Sequence, residues 1–211
     1  MLCPLCENPH NVFFLQDRRR VYWRCQQCLL VFVPAFWHLD SGAEKAEYDL
    51  HRNDPEDTGY RCFLLRLSVP LCERLPVAAR GLDFGSGPGP TLAPMLVESG
   101  FRMALYDPCY APDSSVLEEC YDFITCSEVV EHFRLPGREF CRLWSLLVPG
   151  GWLGIMTKLV IDRQAFARWH YKNDPTHVAF FCRDTFGFLA KTLNAHLEII
   201  EPDVILLQKA L

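Results

Sequence analysis

Apolar positions along the chain change their spacing from region to region, and each spacing predicts a different structure. Near the front, Val12-Phe13-Phe14-Leu15 and Arg20-Val21-Tyr22-Trp23-Arg24 read as two short strands. After Phe32-Val33-Pro34 the pattern fades. Ser41 to Thr58 is polar and acidic, with Glu44, Glu47, Asp49, Asp54, Glu56 and Asp57, and reads as a linker or a lid in which Tyr48 and His51-Arg52-Asn53 stand out. A helical period follows at Tyr60, Phe63, Leu64 and Leu67, and Pro70 should kink or end it. From Arg80 onward strand and helix alternate. Arg80 to Phe84 is a strand, Thr91 to Val97 a helix stopped by Gly100, Phe101 to Tyr106 a strand, and Trp152 to Thr157 another. Asp184-Thr185 can cap a last helix running to Leu193, before a hairpin of Leu197 to Ile200 and Val204 to Leu207. Such alternation predicts an α/β sheet. One stretch is too short for it: fourteen residues separate Asp107 from Asp122, and two of them are prolines.

Composition adds bounds. At 211 residues, half of them apolar, the chain suits one medium domain with a real core plus a small module. The expected partition is residues 1–37, a connector at 38–58, and the main domain at 59–211. No apolar run is long enough to span a membrane, and Met1-Leu2-Cys3-Pro4 does not open a charged-then-apolar leader. The expectation is a cytoplasmic protein with no membrane partner. A net charge of −5 argues against broad nucleic-acid binding.

The eleven cysteines are spread through predicted strands and helices, which suits reduced core residues or metal ligands rather than disulfides. Four of them are special. Cys3-Pro4-Leu5-Cys6 and Cys25-Gln26-Gln27-Cys28 are two Cys-x-x-Cys pairs, eighteen residues apart. Each turn offers two thiolates, and together they can close a tetrahedral structural zinc site, with the two short strands between them forming a zinc ribbon. Free or redox-active pairs are the alternative. Arg18-Arg19-Arg20 and Arg24 give this ribbon a basic patch, read either as a grip on RNA or as a solvated hairpin face.

Gly85-Ser86-Gly87-Pro88-Gly89 lies between a predicted strand and a predicted helix, and Asp107 ends the next strand about twenty residues on. Glycines there let backbone approach a nucleoside cofactor, and the carboxylate can hold ribose hydroxyls. The third glycine of a dinucleotide fingerprint is replaced by Pro90, while an acid, Asp83, precedes the first glycine. The run Asp83-Phe84-Gly85-Ser86-Gly87-Pro88-Gly89 resembles the first motif of class I S-adenosylmethionine (SAM) methyltransferases. Leu105-Tyr106-Asp107, Tyr121-Asp122-Phe123-Ile124-Thr125-Cys126 and Leu147-Val148-Pro149-Gly150-Gly151-Trp152-Leu153 resemble later motifs of that family in the same order. The resemblance implies a Rossmann-like three-layer sandwich, a mostly parallel seven-stranded sheet with a C-terminal antiparallel hairpin, preceded here by the ribbon. It implies that Gly85, Ser86, Gly87 and Gly89 wrap the methionine half of SAM, that Asp83 orders this loop, that Asp107 holds the ribose, and that Ser127 flanks the cofactor. The Cys-Pro-x-Cys start is also similar to a zinc module of some rRNA guanine methyltransferases, over only a few residues.

After the fourth strand comes Ser127-Glu128-Val129-Val130-Glu131-His132-Phe133. On a helix beginning at Ser127, Glu128, Glu131 and His132 would share one face and could bind a divalent ion. This array resembles that of ubiquinone-pathway O-methyltransferases and small-RNA 2′-O-methyltransferases, in which a later histidine, here His177, completes a metal site. A helix-end pair that binds nothing is the alternative. His170 and His177, in a long aromatic segment, are candidate general bases. The expected function is SAM-dependent methyl transfer, metal-assisted and to the oxygen of a small molecule. RNA methylation through the ribbon and non-catalytic SAM binding stand as alternatives. Neither the acceptor nor the oligomeric state is legible.

Overall fold

The computed structural model describes residues 1–50 and 54–211; His51, Arg52 and Asn53, singled out in the sequence, lie outside the described residues. The main sheet contains strands β4 (Arg80–Phe84), β5 (Arg102–Tyr106), β6 (Tyr121–Ser127), β7 (Leu147–Met156), β9 (Ala195–Ile200) and β10 (Val204–Lys209). Their spatial order is β5-β4-β6-β7-β10-β9. The first four run parallel, and β10 is antiparallel to both β7 and β9.

Seven strands were expected; the described residues form six in this sheet. The segment between Asp107 and Asp122 makes only an isolated bridge, Asp107 to Ala111, and a 3-10 turn at Ser114–Glu118. A further parallel strand needs a crossover of a dozen or more residues before it starts. Pro108 and Pro112, which donate no N–H, break up the little that is present.

Side chains alternate across the sheet. In β10, Ile205 and Leu207 face one layer, while Val204 and Leu206 face the other. On the first side lie α4 (Pro136–Leu146) and α6 (Arg183–Leu193), which bury Phe140, Leu143, Phe186 and Leu189. On the second lie α2 (Thr58–Cys72) and α3 (Leu92–Glu98), which bury Leu64, Leu67, Leu71 and Leu96 against Phe123 and Trp152. Each such side chain contributes about 1.5–3 kcal/mol on leaving water. Asp57 caps α2 through the amides of Gly59 and Tyr60, and Pro70 is accommodated in its last turn. The cap of α6 is Cys182 with Thr185 rather than Asp184-Thr185. This is the three-layer Rossmann-like sandwich that the family resemblance implies, built on the α/β sheet that the alternating pattern predicts.

The front of the chain forms β1 (Asn11–Gln16), β2 (Val21–Cys25) and β3 (Val31–Phe32). Their sheet has a fourth strand, β8 (Ala179–Phe180), contributed from far downstream. The polar stretch expected as a connector carries α1 (Ser41–Tyr48), started by Asp40 accepting from the amide of Ala43 at 2.9 Å. A short α5 (Arg163–Ala167) precedes the β8 region. No helix among the described residues is long and apolar enough to cross a membrane.

Candidate functional site

A cavity of about 770 Å³ opens at the C-terminal ends of β4, β5 and β6. Parallel strands end there with their loops diverging, and ligands of open α/β sheets bind at such a crevice. Its floor is the turn after β4. Gly85 and Gly87 adopt φ of +78° and +66°, the left-handed region that favours glycine. A Cβ on Gly85 would stand 2.6 Å from the Val129 side chain. The Gly85 amide donates to the Tyr106 carbonyl at 2.7 Å and the Gly87 amide to Asp107 Oδ2 at 3.0 Å, so the loop is tied to the end of β5. The other Asp107 oxygen accepts from the amides of Cys109 at 2.8 Å and Tyr110 at 3.0 Å. Gly89 lies outside the cavity wall, unlike Gly85, Ser86 and Gly87.

Asp83, next to last in β4, accepts from Thr125 Oγ1 at 2.7 Å. Burial pushes its carboxyl up to about 6, the Thr125 bond opposes this, and the Asp107 charge adds to it. Two hydroxyls in the wall, Ser86 Oγ and Ser127 Oγ, are buried with no hydrogen-bond partner among the described residues. Buried polar atoms of this kind mark where a ligand's own polar groups fit.

The expected helix from Ser127 is not formed. Ser127 ends β6, Glu128 takes a left-handed φ of +54°, and only a single 3-10 turn, Val130–His132, follows. The left-handed residue reverses the chain before a helix can begin. Glu128, Glu131 and His132 therefore do not share a helical face. Glu128 lines the cavity, with its carboxyl pushed up to about 7 by burial, against the opposing charge of Lys158. Glu131 turns inward and has no exposure. It accepts from Thr157 Oγ1 at 3.0 Å and from the Tyr171 hydroxyl. Burial, and then the Glu128 charge, push the Glu131 carboxyl up to about 8.

The group that the fold assembles with a geometry able to hold a metal ion is Glu131, His132 and His177, whose ligand atoms lie within 4.8 Å of one another; Glu128 is outside it. The His132 and His177 rings meet edge to face at 4.7 Å. His177 Nδ1 donates to the Tyr171 carbonyl at 2.7 Å, and its Nε2 lies 3.7 Å from Asp174 Oδ2. His170 stands apart: it is exposed on a 3-10 turn, His170–Asn173, outside the cavity wall. Chain direction explains this, because the turn that buries Tyr171 points its neighbour outward. Tyr171 and Thr157, which hold Glu131, escape the sequence reading, since no spacing links positions so far apart along the chain.

In the ribbon, Cys3, Cys6, Cys25 and Cys28 bring their sulfurs within 4.8 Å of one another. The Cys3–Cys28 and Cys6–Cys25 pairs are 3.5 Å apart, too far for disulfides and suited to thiolates around one ion. Arg20, expected in an exposed basic patch, is 5% exposed.

A family model described as a methyltransferase domain matches residues 51–198. No curated protein matches the chain significantly. Among similar solved structures is 1,6-didemethyltoxoflavin-N1-methyltransferase from Burkholderia thailandensis, solved with 1,6-didemethyltoxoflavin and S-adenosylhomocysteine. It is 16% identical, with 93% of this chain and 98% of that chain covered and a TM-score of 0.57. An O-methyltransferase family protein from the same organism is 15% identical at a TM-score of 0.49, and the match covers 83% of this chain but only 62% of that longer one. A chain in the complex between the Haloferax volcanii Trm112 methyltransferase activator and a methyltransferase is 10% identical, with 79% and 97% covered at a TM-score of 0.50.

Proposed function

The chain belongs to the methyltransferase-domain family, and on that footing we propose that it transfers a methyl group from SAM to an oxygen of a small-molecule acceptor. The observation that carries this reading is the cradle formed by Gly85, Gly87 and Asp107 beside the cavity. The S-adenosylhomocysteine bound to 1,6-didemethyltoxoflavin-N1-methyltransferase, of the same fold, supports SAM as the donor. The site fits such a cofactor: two unpartnered hydroxyls line a cavity of about 770 Å³ whose floor has no room for a Cβ at Gly85.

In this reading Gly85 to Gly87 present bare backbone to the methionine half. Asp83 and Thr125 hold the loop's base, and Asp107 braces the loop while facing the ribose. Gly89 is left out because it is not in the wall. SAM supplies the chemistry, an electrophilic methyl carbon on a sulfonium, so the protein's task is alignment and proton removal.

The acceptor side is the Glu131, His132 and His177 group. A divalent ion fits its donors, a carboxylate and two imidazoles whose ligand atoms lie within 4.8 Å of one another. Such an ion would supply Lewis acidity that lowers the pKa of an acceptor hydroxyl. Without an ion, His177 Nε2 takes the hydroxyl proton directly. His170 has no part in either route. The four ribbon cysteines hold a structural zinc, which four thiolates leave no room to use in chemistry. The ribbon and connector are read as residues 1–37 and 38–58 ahead of the catalytic domain at 59–211.

The test is transfer of a labelled methyl from SAM into fractionated extract, separated into small molecules, RNA and protein. Label is expected among small molecules and lost in Asp107→Ala. Absence of calorimetric heat for both SAM and S-adenosylhomocysteine would overturn the reading. Turnover after chelation, then after return of Mg²⁺, Mn²⁺ or Zn²⁺ with the ribbon still loaded, separates the ion from the histidine base.

A further inference from the structure

Four consecutive backbone carbonyls, those of Lys172, Asn173, Asp174 and Pro175, take hydrogen bonds from a single source, the loop and start of β2 in the ribbon. Arg20 Nη2 donates to the carbonyls of Lys172 at 2.7 Å and Asp174 at 2.6 Å, and Nη1 to that of Pro175 at 3.1 Å. Arg19 Nη1 donates to Asn173 at 2.5 Å, and the Tyr22 hydroxyl to Lys172 at 3.2 Å. The linkage also runs the other way: the Lys172 ammonium, 5% exposed, reaches Asp17 Oδ2 at 2.6 Å. Burial would raise the Asp17 carboxyl, but the Lys172 bond and the amides of Arg19 and Arg20 outweigh it and hold the group down at about 2.

The segment so held is the one that builds the acceptor side of the cavity. Asp174, whose carbonyl Arg20 grips, receives the His177 amide at 3.3 Å. The preceding Tyr171 gives its carbonyl to His177 Nδ1 and its hydroxyl to Glu131. Val178 then donates to the Glu131 carbonyl and accepts from the Val33 amide, each at 2.9 Å. Tyr171, His177 and Glu131 are thus fastened to a backbone whose shape is dictated from the ribbon, although no residue before Glu44 is in the cavity wall. A guanidinium suits this task, since its donors are fixed in one plane and it keeps its charge when buried.

We infer that Arg20 is a positioning residue and that the ribbon templates the segment 172–178, setting where His177 and the Tyr171 hydroxyl stand. This rests on the proposed function only in assigning those groups to the acceptor side. It also gives the arginine run a purpose other than contact with nucleic acid, because Arg20 is spent on carbonyls inside the chain.

The test compares Arg20→Met, Arg20→Lys and, as an exposed control, Arg18→Met in the full-length, zinc-loaded protein. Amide hydrogen exchange is read along the chain, His177 imidazole resonances by NMR, and S-adenosylhomocysteine binding by calorimetry. In Arg20→Met the Val178 amide is expected to exchange about tenfold faster and the His177 resonances to move. The Gly85 to Gly87 loop should keep its protection and its ligand affinity. Arg20→Lys should restore part of both readouts, and Arg18→Met should match the parent. Unchanged exchange at Val178 with unmoved His177 signals would overturn the inference. So would a loss of protection spread evenly over the cofactor loop, which marks a general structural role. If Arg20→Met does not accumulate, Asp17→Asn, which releases Lys172, gives the second reading; exchange over 172–178 should rise, and no rise sinks the idea. A parent protein that fails to bind S-adenosylhomocysteine would defeat the methyl-transfer reading alone and leave the exchange result standing.

Discussion

Glu131 keeps its carboxyl inside the protein between the hydroxyls of Tyr171 and Thr157, and its behaviour with pH follows from that place. Its pKa rises from an ordinary 4.5 to about 8 in the fold. Across that window the folded, metal-free chain holds a proton that the unfolded chain has released, so stability falls as pH rises. The stability tied to the neutral carboxyl is fully present below the lower value and lost on passing the upper one. Glu128, raised to about 7, acts in the same direction. Glu131→Gln keeps the hydrogen-bond acceptor but has no such proton. Its urea midpoint is expected to fall less than the parent's between about pH 5 and about pH 8; parallel slopes would show Glu131 ionised within the fold. Gly85 offers a second test at this scale. Gly85→Ala forces a Cβ to 2.6 Å from Val129 at a φ of +78°. The expected cost is about 1–3 kcal/mol in chemical denaturation, with S-adenosylhomocysteine affinity down about tenfold by calorimetry.

Among the elements, α4 shows how closely the two sheets are joined. Gly137, in its first turn, donates to the Pro4 carbonyl at 3.2 Å, and a Cβ there would fall 2.3 Å from the Leu5 carbonyl oxygen. Gly137→Ala is therefore expected to destabilise by about 1–3 kcal/mol, measured by urea unfolding, although the helix itself would favour alanine. Local elements were the legible part. The strand at Arg80 to Phe84, the glycine turn, the helix from Tyr60 and the terminal hairpin each carry a period or a breaker that acts over a few residues. The gathering of the four cysteines was legible because two Cys-x-x-Cys turns can bring their sulfurs to one point. What escaped depends on distant partners: β8 is two residues long and pairs with β3, and Tyr171 reaches Glu131 across the fold. Ser127 to His132 was misread because its periodicity suits a helix, while Glu128 turns left-handed to bring the chain over the strand tips.

In the whole molecule the front sheet shares β8 with the downstream half of the chain, and the carbonyl clamp and the α4 contact tie it to the main domain, so the two should unfold together. Removing the zinc proposed for Cys3, Cys6, Cys25 and Cys28 with a chelator is expected to lower the melting temperature by about 5 °C or more as one transition; a separate early transition for the first 37 residues would contradict this. The shared strand also bears on how the chain is made. The cysteine turns and β1 to β3 leave the ribosome long before β8, the strand that completes their sheet. During synthesis the nascent module must wait with an open edge, and capture of the ion proposed for its four cysteines is what can hold it in shape until β8 arrives.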